Sequence, residues 1–212
     1  MQTLKNDILT VQVSEMGAEL QSIVKNGYEY LWQGDPAFWG RRSPVLFPIV
    51  GSVWEKKYRV GGKEYEMGQH GFARDMKFEL VSATDSEVWY RLESTPETLA
   101  KYPWPFVLEI GYKLEGNSVE VLWKVKNPGS EEMFFQIGAH PAFMCPINEG
   151  EEQTAYSIQM NAKDQVSYYF LNAENGLLRD EEYVLKLDNG SHKLEEGFFD
   201  ESAYVIENSQ VS

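Results

Sequence analysis

Two histidine segments carry the residues of this sequence that are best suited to chemistry. The first segment reads Gly68-Gln69-His70-Gly71-Phe72-Ala73-Arg74-Asp75. Its glycines permit close backbone approach to a ligand, and Arg74 follows His70 at a distance of four. In the second segment, His140 directly follows an apolar run, and Pro141 restricts it to an extended backbone. Histidine changes its charge near neutral pH, so both side chains are candidates for proton transfer, although most lone histidines are structural or lie on the surface.

A third segment places two arginines beside aromatic residues and prolines. It reads Phe38-Trp39-Gly40-Arg41-Arg42-Ser43-Pro44-Val45-Leu46-Phe47-Pro48. Arginine binds carboxylate and phosphate groups in a bidentate manner, so Arg41, Arg42 and Arg74 are candidates for holding a phosphate. In so acidic a chain, Arg41 and Arg42 are explained equally well as salt-bridge partners. The third histidine, His192, lies in a polar turn that indicates no catalytic role.

Composition and missing motifs exclude several classes of function. The 212 residues include 19 Lys and Arg against 33 Asp and Glu, a net charge of −14, which repels nucleic-acid backbones. Cys145 is the single cysteine, so neither a disulfide nor a Cys/His zinc site is expected. The chain lacks G-x-x-x-x-G-K-[ST], G-x-G-x-x-G after a strand, G-x-S-x-G and H-E-x-x-H. We therefore expect no metal, no cofactor and no nucleic-acid partner.

The N-terminal residues contain no apolar core of a signal peptide, and no apolar run approaches the length of a membrane span. We therefore expect no membrane partner. Together with the single cysteine, these features favour a reducing, cytoplasmic location.

Alternating apolar and polar residues predict that the elements positioning these segments are strands. The alternation is clearest in runs around Val11, Ile110, Val121, Ile158 and Leu185. Turn sequences such as Asn-Gly and Gly-Gly separate the runs, as hairpins require. One short helix is expected after a Thr95 cap, with Pro96 in its first turn and Pro103 as its stop. The sequence predicts an all-β fold, a large sandwich in a single domain over residues 1–212.

The end of the sequence predicts an interrupted strand pattern. The segment from Ala203 to Ser212 finishes one strand and begins another. A sheet cut off there leaves unpaired edge groups and an uncovered core face, so we expect either a ragged end or a fragment of a longer protein.

Four motifs in register resemble the aldose 1-epimerase (galactose mutarotase-like) family, and look most similar to its LacX-like branch. The motifs are Gly17-Ala18-Glu19-Leu20-Gln21-Ser22, residues 39–51, His70-Gly71-Phe72-Ala73-Arg74 and Gly138-Ala139-His140-Pro141-Ala142-Phe143. The resemblance spans essentially the whole chain. It implies a β-sandwich of long antiparallel sheets, a supersandwich, with the C-terminal strands missing.

The resemblance also implies roles for individual residues. His140 matches the general acid that serves the ring oxygen of a sugar, and His70 matches a second histidine that hydrogen-bonds the sugar nearby. Arg42, or else Arg41, matches a substrate-binding arginine, and Arg74 follows the first histidine as in this branch. Asp200 matches an aspartate that binds a sugar hydroxyl.

The general base of the family is a glutamate near the C-terminus, and the resemblance assigns no glutamate of this chain to that role. The candidates in the last segment, none of which matches, are Glu195, Glu196, Glu201 and Glu207. We therefore expect the 212 residues alone to be catalytically deficient, and a protein extended through the next strands to be active.

The resemblance implies an isomerase that interconverts the α and β anomers of an aldose or a hexose phosphate by acid–base ring opening. Its partner would be a small sugar or sugar phosphate. The alternative is a non-catalytic carbohydrate-binding or regulatory domain on the same fold. The sequence contains no signal for a particular oligomeric state.

Overall fold

In the computed structural model, which describes residues 1–172 and 174–207, the alternating segments form antiparallel strands as the sequence predicts. The described chain divides into two units, Met1–Met144 and Cys145–Ser212. The expectation of a single domain over residues 1–212 stays a prediction. The second strand predicted at the end of the chain, from Asn208 onward, lies outside the described residues. Among the described residues, no helix is long and apolar enough to cross a membrane.

The first unit contains twelve strands among its described residues. They are β1 (Gln2–Lys5), β2 (Leu9–Val13), β3 (Leu20–Lys25), β4 (Tyr28–Glu29), β5 (Val45–Leu46), β6 (Lys57–Val60), β7 (Lys63–Glu66), β8 (Glu79–Ala83), β9 (Glu87–Glu93), β10 (Val107–Glu115), β11 (Ser118–Lys126) and β12 (Gly138–Ala139). Strands β1 to β4 form one antiparallel sheet in sequence order, and β8 to β11 form another. Two pairs, β6 with β7 and β5 with β12, complete the unit.

The core of this unit lies on the apolar faces of its two larger sheets. Val11 on β2, Tyr90 on β9 and Ile110 on β10 are buried members of one hydrophobic cluster. Two tyrosine hydroxyl groups in this core find carbonyl partners, since Tyr90 donates to Val13 and Tyr112 donates to Ala18. The polar atoms that these rings carry inward are therefore satisfied, as buried groups must be.

The predicted helix forms as α1 (Pro96–Lys101). Its N-cap Thr95 accepts a hydrogen bond from the backbone N–H of Thr98, whose side chain bonds back to the backbone of Thr95. This reciprocal capping satisfies donors that the first helical turn leaves free. Two 3-10 turns, Trp54–Lys56 and Ala73–Asp75, lie elsewhere in the first unit.

The second unit has five strands among its described residues and its own apolar cluster. The strands are β13 (Ser157–Gln159), β14 (Gln165–Leu171), β15 (Leu178–Lys186), β16 (Ser191–Lys193) and β17 (Tyr204–Val205). A 3-10 turn, Gln153–Ala155, precedes them. Strand β14 lies between β15 and β17, and β13 pairs with β16. Val166, Phe170 and Leu185 form the buried centre of this unit.

Candidate functional site

The segment from Arg42 to Pro48 holds the chain that carries His140. Strand β5 pairs with β12 in antiparallel register, so that Val45 lies opposite Ala139. The pairing continues beyond the strands, because the backbone N–H of His140 donates to the Pro44 carbonyl at 3.1 Å. Pro44 is buried, so its carbonyl needs this partner. The backbone of His140 is therefore fixed by the arginine-containing segment.

The same segment also holds the chain that carries His70. Phe47 and Gly71 form a parallel bridge, and the Phe47 carbonyl accepts hydrogen bonds from the N–H groups of Phe72 and Ala73. Gly71 has a φ of +71°, and a Cβ atom there would lie 2.1 Å from the Phe47 carbonyl oxygen. Only glycine fits both the left-handed backbone and this close approach. The glycine after His70 is thus required by packing.

The two predicted histidines lie side by side. Their ring centroids are 5.8 Å apart, and the rings meet edge to face. His140 also contacts the indole of Trp39, with ring centroids 5.0 Å apart. His140 is exposed and His70 is half-buried. A single ligand bound at this surface can therefore contact both rings.

Gly51 fixes the orientation and the tautomer of His70. The N–H of His70 donates to the Gly51 carbonyl at 2.7 Å, and the Gly51 N–H donates to Nδ1 of His70 at 2.9 Å. These two bonds hold His70 in a left-handed backbone conformation, with a φ of +62°. Because Nδ1 accepts a hydrogen bond, the proton of the neutral ring lies on Nε2. His70 can therefore donate that proton in a hydrogen bond to a ligand oxygen.

The surroundings of His70 keep its ring neutral. Burial lowers the pKa of His70 from 6.5 to about 4, with smaller contributions from Arg74, His140 and Arg41. Each of these neighbours opposes a further positive charge. At neutral pH, His70 is therefore a hydrogen-bond donor without charge.

Arg41, Arg74 and Asp75 form a charged group beside His70. Nη2 of Arg41 lies 2.8 Å from Oδ1 of Asp75, and Nε of Arg74 lies 3.8 Å from Oδ2 of the same residue. Arg74 is held in place by a hydrogen bond from Nη2 to the Gln69 carbonyl at 2.8 Å. Two guanidinium groups thus share one carboxylate, and the group carries a net positive charge in a chain of net charge −14.

Arg74 is the more buried of the two arginines. Its side chain is 15% exposed, and its Nε atom is buried without a hydrogen-bond acceptor among the described residues. Burial and the charge of Arg41 lower the pKa of Arg74, and Asp75 opposes that shift. An anion placed near Arg41 and Arg74 would therefore offset an unfavourable concentration of positive charge.

The other two predicted residues have different surroundings. Nη1 of Arg42 donates to the Gln21 carbonyl at 2.9 Å, and its backbone N–H donates to Glu19. Arg42 is thus tied to residues at the start of β3, whereas Arg41 joins the group beside His70. Asp200 lies in the second unit, exposed, in a turn where its N–H donates to the Gly197 carbonyl. Its role in binding a sugar hydroxyl stays a prediction.

Three residues of the site have no assigned role in the sequence prediction. Trp39 contacts His140, Gly51 fixes His70, and Asp75 bridges the two arginines. Trp39 and Asp75 lie next to candidate residues in the sequence motifs, which is a usable signal. Gly51 also ends one of these motifs, but its role gives no signal in sequence, because it depends on a contact with His70 across nineteen positions.

The described residues contain no cluster of His, Cys, Asp and Glu arranged to hold a metal ion. What the site offers is one neutral imidazole donor, one exposed imidazole and a pair of guanidinium groups. Such a set can hydrogen-bond hydroxyl and ether oxygens, exchange a proton and attract an anion.

Comparison with known proteins gives a consistent result. A sequence model of the family described as Aldose 1-epimerase matches residues 1–176. The chromosomal LacX protein of Lactococcus lactis subsp. lactis is 38% identical over 194 residues, which cover 88% of this chain and 64% of LacX. The chain therefore spans less than two thirds of the length of this curated relative.

Two solved structures share the fold. A galactose mutarotase related enzyme from Lactobacillus acidophilus is 32% identical, with a TM-score of 0.91 over 98% of this chain and 69% of that protein. A galactose mutarotase-like protein from Lactobacillus casei is 31% identical, with a TM-score of 0.82 over 100% of this chain and 73% of that protein. These matches confirm the predicted all-β, galactose mutarotase-like fold.

Proposed function

Because the chain belongs to the aldose 1-epimerase family, we propose that it binds a sugar at His70 and His140, and that the protein expressed from its complete reading frame interconverts the α and β anomers of an aldose or a hexose phosphate. The observation that carries this proposal is the pairing of the two imidazole rings at 5.8 Å, one with a fixed tautomer and one exposed to solvent. Ring opening requires a proton donor at the ring oxygen, and such a pair supplies one within reach of a single ligand.

The two histidines have different roles in the proposed reaction. His70 stays neutral and directs Nε2–H at a sugar oxygen, since Gly51 occupies Nδ1 and burial lowers its pKa to about 4. A neutral His70 places no second positive charge beside His140. His140 is assigned in this proposal as the general acid that donates a proton to the ring oxygen.

The reaction conserves its protons. A base removes the proton of the anomeric hydroxyl while His140 protonates the ring oxygen, which breaks the bond between C1 and that oxygen. The open-chain aldehyde rotates about its C1–C2 bond, and the ring oxygen then attacks the other face of C1. His140 takes its proton back, and the new anomeric oxygen regains one from the base. In the family resemblance, that base is a glutamate of a C-terminal segment.

The arginine pair supports the phosphorylated form of the substrate. Arg41 and Arg74 share Asp75 as a single carboxylate partner, so their joint charge is only partly neutralised. A phosphate group accepts bidentate hydrogen bonds from guanidinium groups, and its negative charge would neutralise the remaining positive charge of the two arginines. We therefore propose a hexose phosphate ahead of a neutral aldose.

Anomer exchange measured by NMR tests the function in protein expressed from its complete reading frame. Magnetisation transfer between the two anomeric protons of glucose 6-phosphate and of glucose gives the exchange rate with and without protein. The proposal predicts exchange well above the solvent rate, and faster exchange for the phosphate ester. Saturable binding in a tryptophan fluorescence titration without faster exchange would instead indicate a non-catalytic carbohydrate-binding domain.

A further inference from the structure

An aromatic cup lies next to His140 and is not used by the proposed reaction. It is a cavity of about 380 Å³ lined by Trp32, Phe38, Trp39, Ala142 and Phe143. Nε1–H of Trp32 donates to the Trp39 carbonyl at 2.7 Å, and the rings of Trp32 and Phe38 meet edge to face at 6.1 Å. The cup is therefore a shallow, open surface with aromatic walls.

Its composition indicates a small, uncharged ligand. None of its five lining residues carries a charge. Phe38 is 82% exposed and Phe143 is 63% exposed, and both line the same cavity, so they form part of an exposed apolar patch rather than lying singly on the surface. The volume lies in the range of small-molecule sites, which are lined mainly by apolar and aromatic side chains.

The cup and the histidine pair are linked through Trp39. Trp39 is a wall of the cup and also contacts the imidazole of His140, with ring centroids 5.0 Å apart. Ala142 follows His140 by two residues and is held by a hydrogen bond from its N–H to the Arg42 carbonyl. A ligand seated at the histidines therefore has the cup as its immediate neighbour.

We propose that the cup is a second sugar subsite, which binds a pyranose ring attached to the sugar that reacts at His70 and His140. This inference rests on the proposed function and adds reducing disaccharides and longer glycosylated aldoses to its substrate class. The C–H face of a pyranose is apolar and matches aromatic rings, while its hydroxyl groups point to water at the open side of the cup. Charged substituents find no partner among the five lining residues.

The occupant follows from the position of the cup. An apolar aglycone would also contact aromatic rings, but a site built for sugars at the histidine pair favours a further sugar unit along the same chain. A partner protein would need a larger contact area than the five residues around this cavity of about 380 Å³ provide. Both of these alternatives have their own outcome in the test.

Isothermal titration with a panel of sugars tests the subsite. The panel contains glucose and galactose, the reducing disaccharides maltose, lactose, isomaltose and melibiose, and octyl and phenyl glucosides. We expect at least one disaccharide to bind roughly tenfold more tightly than the monosaccharide at its reducing end. Phe143→Ala should weaken that disaccharide by about twofold to tenfold and leave monosaccharide binding and anomerisation unchanged.

Two further variants make the test specific. Phe38→Ala removes the more exposed of the two phenylalanine rings and should weaken the same disaccharide even if Phe143→Ala fails to fold. Phe134→Ala is the matched control, because Phe134 is 61% exposed but lies outside the cup, and it should affect neither class of sugar. Circular dichroism checks that each variant is folded.

Each other outcome has a definite meaning. Equal affinity for monosaccharides and all four disaccharides would overturn the second subsite and leave the proposed function intact. If the octyl or phenyl glucoside binds more tightly than any disaccharide, the cup is an aglycone site and not a sugar subsite. Equal losses of disaccharide affinity in Phe143→Ala and Phe134→Ala would also overturn the second subsite. Failure of the wild-type protein to bind any sugar of the panel, while it still binds glucose 6-phosphate, would overturn the subsite alone, whereas failure to bind glucose 6-phosphate as well would overturn both the subsite and the function.

Discussion

The imidazole rings of His70 and His140 meet edge to face with their centroids 5.8 Å apart, although seventy positions separate them in the sequence. Both are positioned by the segment from Arg42 to Pro48, which pairs with one histidine segment through Pro44 and with the other through Phe47. The site is therefore assembled around one short stretch of buried backbone. Its electrostatics follow from that assembly, because the contacts of His70 keep it neutral.

The protonation state of His70 is a direct prediction. Two-dimensional ¹H–¹⁵N spectra of the imidazole nitrogens should show the proton on Nε2 and a titration midpoint about two pH units or more below that of a free histidine, given a pKa of about 4. A proton on Nδ1 would show that Gly51 does not fix the tautomer, and a midpoint near 6.5 would show that burial does not keep the ring neutral.

This lowered pKa makes stability depend on pH. The unfolded chain binds a proton at this histidine below pH 6.5, whereas the folded chain resists it until about pH 4. The contribution of His70 is therefore fully present above pH 6.5 and lost as the pH falls toward 4. His70→Asn should reduce the acid sensitivity of the urea midpoint between pH 6.5 and 4, with His192→Asn as the control. Unchanged acid sensitivity in His70→Asn would contradict the assignment.

Arg41 and Arg42 should differ in their effect on binding. The resemblance favours Arg42 as the substrate-binding arginine, whereas the contact with Asp75 and the influence on His70 place Arg41 at the site. We expect Arg41→Ala to weaken hexose phosphate binding by about 1.5–3 kcal/mol, the range for hydrogen bonds to charged groups, with poor rescue by lysine. Arg42→Ala, measured by the same titration, should cost less. A larger loss in Arg42→Ala would reverse the assignment.

Gly71 should tolerate no side chain. In Gly71→Ala, the new Cβ would lie 2.1 Å from the Phe47 carbonyl oxygen at a φ of +71°, so we expect a loss of about 3 kcal/mol or more in the free energy of unfolding. Gly62 has a φ of +80° with no atom within 4 Å, so Gly62→Ala should cost only about 1–2 kcal/mol. Equal losses in chemical denaturation would show that packing against Phe47 is not what requires the glycine.

The sequence predicts the strands and the helix cap better than it predicts which strand faces are buried. The alternation in β2 and β10 and the cap at Thr95 are decided by neighbouring residues, and the structure confirms them. In β11, the same alternation predicts a buried face, yet Val121 and Trp123 are exposed. The pattern identifies the apolar face of a strand, but burial depends on what packs against it, and β11 is the last strand of its sheet among the described residues.

In the candidate site, too, the sequence identifies local segments but not the contacts between distant ones. Its histidine and arginine segments are recognisable from residue types and motifs. The Gly51 contact that fixes His70 and the choice between Arg41 and Arg42 depend on how distant segments pair. The resemblance favours Arg42 of the two adjacent arginines, but only the backbone path decides which guanidinium reaches Asp75, and that one is Arg41.

The most direct test of the account is to separate binding from turnover in His140→Asn, in protein expressed from its complete reading frame. The substitution keeps the backbone hydrogen bond to Pro44 and removes the group that exchanges a proton. We expect sugar affinity to change by no more than a few-fold, while anomer exchange measured by NMR falls by about 10²–10⁴. Exchange in His140→Asn as fast as in the wild-type protein would contradict the central claim that His140 is the general acid.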